Sequence, residues 1–80
     1  MSNIDQAHER LMRDDPDYRT GFEFMRQNRR HYDRLSPAEI KGIAERMAEC
    51  WNPNDAQPYS FSLGAAAYLL RLARVKEAAA

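Results

Sequence analysis

Two histidines, one cysteine and a run of arginines carry most of the chemical potential in this 80-residue sequence. Asp5, His8 and Glu9 fall on one helical turn, a mixture of donors that can hold a divalent cation. However, neither His8 nor His31 has a second histidine or a cysteine three or four residues away, the spacing on which zinc sites rely. No metal site is expected. Asp14, Asp15 and Asp17 crowd together as paired general acids would, but they flank Pro16, where a helix start already employs a cap and first-turn acids. Cys50 lies beside Trp51 on an apolar stripe, so it reads as a buried thiol and not as a nucleophile. Gly21, Gly42 and Gly64 are isolated within helical stretches, so no glycine-rich phosphate loop is present. The residues therefore give no catalytic site and no cofactor site, and the chain is expected not to be an enzyme.

The arginines are the remaining candidates. Arg26 to Arg34 carries four arginines and one aspartate, the one strongly basic stretch of the sequence. On a continuous helix Arg19, Arg26, Arg30 and Arg34 would share an arc of about 80°, a geometry suited to phosphates or to an acidic protein surface. Glu23 lies inside the same arc, and Asp33 is within helical reach of Arg29 and Arg30, so a solvated, ion-paired face is the competing and favoured reading. Arg29 falls between Tyr18 and Phe22 on the apolar side of that wheel. Its stem is expected to snorkel past the core edge; a helix end near Asn28 or a carboxylate from another helix would also resolve it.

The elements that must position these side chains are helices. No segment sustains a two-residue alternation of apolar and polar side chains, so the expected fold is an all-α, compact four-helix domain with helices at roughly 4–13, 16–33, 37–51 and 61–77. Asn3 and Gln6 look like a capping pair for the first. Asp15 with Pro16 starts the second. Ser36-Pro37-Ala38-Glu39 is the clearest boundary, because Ser36 and Glu39 can each satisfy an N–H that the helix leaves free. From it Ile40, Ile43, Ala44, Met47, Cys50 and Trp51 form a stripe within about 120°. Asn52 to Pro58 breaks the chain before Ser60 or Ser62 can cap the last helix.

That last helix is apolar on two sides. Leu63, Ala66, Ala67, Leu70 and Ala73 share one face, while Tyr68, Leu72 and Val75 lie nearly opposite, so it is either the centre of the bundle or a helix with one face kept for a partner. Trp51, Tyr59 and Phe61 flank the proline-containing loop, where they close the core or form a recognition patch; the core reading is favoured. A helix-turn-helix is not supported, because the stretch from Asn52 to Pro58 is too long and holds two prolines.

Eighty residues support one domain, 1–80. The formal net charge of zero removes the bulk attraction on which generic DNA binders rely. A single cysteine suits a reducing compartment, so a cytoplasmic location is expected. Met1 to Arg10 is polar, with no sign of a signal peptide, and no stretch approaches the ~20 apolar residues that span a bilayer.

Together these features lead to the expectation of a small non-enzymatic protein-binding module, an inhibitor or adaptor acting through a helix surface. In size and style it is akin to the small standalone proteins of phages and mobile elements, including anti-defence proteins. Its candidate binding residues are Arg19, Arg26, Arg30 and Arg34 on helix two and Tyr68, Leu72 and Val75 on helix four. A protein partner is expected, with a homodimer through helix four as one form, and the alternative is a nucleic-acid-binding regulator that uses the arginine face.

Overall fold

The starts of the second and third helices are each set by a side chain that satisfies free backbone N–H groups. In the computed structural model, which describes residues 3–49 and 59–79, α1 (Asn3–Asp14) is separated from α2 (Pro16–Gln27) by one residue. Asp15 is extended at φ −115°, ψ 101°, and its carboxylate accepts from the N–H groups of Asp17 (3.1 Å) and Tyr18 (3.2 Å). Pro16 takes the first helical position, where its missing N–H costs nothing.

The second helix ends earlier than the sequence pattern suggests. Its expected span of 16–33 is corrected to Pro16–Gln27, followed by a 3-10 turn at Arg29–Tyr32. Asn28 is the cause: its side-chain amide donates to the Phe24 carbonyl (2.7 Å), and its backbone N–H donates to Phe24 (3.2 Å) and Met25 (3.1 Å). The Phe24 and Met25 carbonyls are thereby satisfied without a further helical turn. The shared arc expected for Arg19, Arg26, Arg30 and Arg34 does not exist, since Arg30 lies in the 3-10 turn and Arg34 beyond it. Arg29 is exposed because the helix stops before it, so the snorkelling expectation is also replaced.

At α3 (Pro37–Glu49) the expected capping box is formed. The Ser36 N–H donates to Glu39 Oε1 and the Glu39 N–H to Ser36 Oγ, both at 3.2 Å. Helix four, α4 (Tyr59–Ala79), starts two residues before the expected boundary, with the Tyr59 hydroxyl donating to the Ala48 carbonyl of α3 at 2.9 Å. The expectations for Cys50, Trp51 and the loop from Asn52 to Pro58 lie outside the described residues. Among the described residues there is no strand.

α4 is the central helix, with α2 and α3 packed along it and α1 laid on α2. Met25 from α2, Ile40 and Ala44 from α3, and Ala65, Ala66, Leu69 and Ala73 from α4 make the core, in which Ile40 and Leu69 are wholly buried. Burial on two sides explains why α4 is apolar on two sides. Tyr68 and Leu72 are half-buried and pack against this core, while Val75, 65 % exposed, faces solvent. The small residues have a definite use at the α2–α4 crossing. A Cβ on Gly21 would lie 2.8 Å from the carbonyl carbon of Phe61, and one on Gly64 the same distance from that of Tyr18. The far end of α4 is tied down by Lys76, whose ammonium donates to the carbonyls of Asp33 (2.6 Å) and Leu35 (3.1 Å), and by an ion pair between Lys41 and Glu77. No helix among the described residues is long and apolar enough to cross a membrane.

Candidate functional site

Two surfaces stand out, one on the outer side of α2 and one between α1 and α4. On the first, Arg19, Thr20, Glu23, Phe24 and Gln27 line a shallow depression of about 330 Å³. It shares Gln27 with a second of about 480 Å³ formed with Arg26, Arg29 and Arg30. Phe24 is 49 % exposed and leans on Phe61, the rings 5.6 Å apart and tilted by 51°. An aromatic ring with one face on the protein and the other toward water is a typical interface anchor, and arginine is enriched beside such anchors.

The structure keeps three of the four candidate arginines on this surface by a route other than the one expected. Arg26 pairs with Glu23 at 3.0 Å, and Arg19 donates to the Met12 carbonyl at 3.4 Å. Arg30 joins them from the 3-10 turn, together with Arg29. Arg34 is exposed but lines neither depression. The pairing of Asp33 with Arg29 or Arg30 is not found among the described ion pairs; instead the Asp33 carbonyl receives the Lys76 ammonium. Cations after the last turn of α2 also complement the negative end of its dipole.

The second surface is a cleft of about 280 Å³ roofed by α1. Ala7, Leu11, Ala67 and Leu70 give its apolar walls, and Arg71 and Arg74 stand along α4. Its polar floor is one pair: His8 Nδ1 and the Tyr18 hydroxyl, 2.7 Å apart, with the rings edge to face at 5.6 Å. Phe22 extends the cluster, 5.1 Å from the His8 ring and 5.4 Å from Tyr68, with the Arg71 guanidinium 5.8 Å from its centroid. Burial pushes the Tyr18 phenol above its ordinary value, and Arg71 partly opposes that shift. Tyr18 therefore stays protonated at neutral pH.

Sequence reasoning misses this cleft. It joins three elements whose relative placement no single helical wheel contains, and in the sequence His8 reads only as a metal donor. Among the described residues no three His, Cys, Asp or Glu side chains converge as a metal ion would require. No buried side-chain nitrogen or oxygen among them lacks a hydrogen-bond partner. No known protein family matches the chain, and no curated protein or solved structure matches it either.

Proposed function

We infer that the chain is a non-enzymatic protein-binding module, an inhibitor or adaptor that acts in the cytoplasm through the outer surface of α2 and the turn that follows. The observation that supports this most is Phe24, half exposed in the middle of α2 with Arg19, Arg26, Arg29 and Arg30 around it. Burying one face of such a ring under a partner removes apolar area from water, while the arginines meet carboxylates on the partner and set its orientation. The expected partner is an acidic protein surface with an apolar recess for the Phe24 ring.

The test is a comparison of the wild-type chain with Phe24→Glu as baits in a native lysate, read by mass spectrometry. One dominant protein held by the wild type and absent from the variant supports the reading. Identical sets of proteins on both baits contradict it, given equal helicity of the two by circular dichroism.

A second reading rests on Arg29 and Arg30, which have no carboxylate within ion-pairing distance among the described residues. Cations of this kind suit phosphates of a nucleic acid, and removing one arginine–phosphate pair should flatten the log–log salt dependence of binding by about one. A mobility shift on duplex DNA, single strands or RNA that Arg30→Gln weakens in this way would favour it over a protein partner.

A further inference from the structure

We propose that the cleft between α1, α2 and α4 is a binding site for a small amphipathic anion, a medium-chain or aryl carboxylate. This site lies apart from the Phe24 surface and does not depend on the reading above. The apolar half of the ligand meets Leu11 of α1 and Leu70 of α4, which face the same space; Leu70 is 42 % exposed although it belongs to the helix at the centre of the fold. The charged half meets Arg71 and Arg74, three residues apart on α4 and so neighbours along one helix face.

Charge complementarity sets the sign of the ligand. Among the described residues the cleft is lined by two guanidinium groups and by no acidic side chain, and neither arginine has a carboxylate within ion-pairing distance. A carboxylate accepts two parallel N–H donors from one guanidinium, a geometry that an alcohol or an amine cannot match. On the floor the Tyr18 hydroxyl and His8 Nδ1 are bonded to each other. Volume sets the scale: about 280 Å³ lies just below the ~300 Å³ at which ligand pockets usually begin, which suits a short chain or a single ring system. Laid on α2 and facing α4 across the cleft, α1 is the wall through which occupancy would stabilise the fold.

Decanoate, kept below its micelle concentration, is the probe. In a ¹H–¹⁵N titration its binding should saturate, with shifts centred on Ala7, His8, Leu11, Ala67, Leu70, Arg71 and Arg74 and little change at Phe24 or Arg30. Decanol should bind at least about tenfold more weakly, and so should decanoate to Arg74→Gln, the loss expected when one charge-assisted hydrogen bond is removed. Arg74→Gln alters an exposed side chain, and an unchanged melting temperature without ligand will show that its fold is intact. Equal affinity for decanol and decanoate, shifts spread over all four helices, or no saturable binding in the millimolar range would each overturn the assignment.

Discussion

Gly21 of α2 and Gly64 of α4 form a reciprocal crossing in which each helix rests its missing side chain on the backbone of the other. A Cβ at Gly21 would strike the Phe61 peptide, and one at Gly64 would strike the Tyr18 peptide. Glycine in a helix interior costs roughly 1 kcal/mol relative to alanine, so two of them at one crossing point to a close approach that no larger residue allows. That approach brings Phe22 onto Tyr68 and sets Tyr18, in the floor of the cleft, against the α4 wall.

Alanine at either crossing position should therefore destabilise the chain although alanine is the better helix former. Forcing a methyl against rigid backbone costs about 1–3 kcal/mol, of which improved helix propensity recovers up to about 1 kcal/mol. Gly42 is the control, since nothing lies within 4 Å of the place its Cβ would occupy. Gly42→Ala should raise stability by about 0.5–1 kcal/mol. Urea denaturation of the three variants should give opposite signs for Gly42 and for the crossing pair; a stabilised Gly21→Ala would show that the helices are further apart than described.

The capping box offers a second test. Ser36→Ala removes the acceptor for the Glu39 N–H and should cost about 1 kcal/mol, the usual loss for a helix cap. For a domain of this length that corresponds to a fall of about 4–8 °C in melting temperature. Ser36→Asp keeps an acceptor at the same place and should restore most of the loss. Equal melting temperatures for wild type and Ser36→Ala would mean that the box contributes nothing measurable.

How much of this is legible in the sequence depends on the range of the interaction. The Asp15-Pro16 start and the Ser36–Glu39 box are interactions between residues two or three apart, and they are formed as expected. The end of α2 is misplaced by the sequence pattern because the spacing of Arg26, Arg30 and Arg34 continues the helical period past the true stop. The signal is present in Asn28, a residue favoured at helix ends, yet it acts through one side-chain hydrogen bond to Phe24 that periodicity does not register. For α4 the wheel gives two apolar sides and leaves open whether the second is covered by this chain. Tyr68 and Leu72 answer that only once α2 and α3 are in place. The glycines are visible, but in the sequence they speak only against a phosphate loop; their helix-weakening cost at buried positions is the clue to the crossing.

Lys76 joins the last helix to the segment between α2 and α3, and the union should be measurable. Its ammonium serves two backbone carbonyls, those of Asp33 and Leu35, across more than forty residues of sequence. Lys76→Met keeps the length of the stem and removes the charge. The expected loss is about 1–2 kcal/mol, near the lower end for hydrogen bonds to charged groups because the site is partly open to water. Amide exchange should speed up at Leu35 and Asp33 in the variant while Leu69 stays protected, since the core does not depend on this interaction. Unchanged exchange at both positions would mean that the turn is held by the packing of Tyr32 and Leu35 alone.

Tyr18 gives the clearest dependence on pH. Its phenol is buried, and burial raises its pKa above the ordinary value of 10.0 because the ionised form would lose water. In the unfolded chain the phenol releases its proton from about pH 10, while in the folded chain it holds the proton to a higher pH. Across that interval the folded state binds more protons than the unfolded one, so stability falls as pH rises. The contribution is complete below pH 10 and is lost as pH climbs through the folded value. Tyr18→Phe removes the titrating group and should flatten the alkaline decline. At pH 7 it should cost about 1 kcal/mol through loss of the bond to His8. In the wild type, absorbance at 295 nm should show a tyrosine that ionises above the ordinary phenol range, and Tyr18→Phe should abolish that late step. A late step that persists in the variant would place the protected phenol elsewhere.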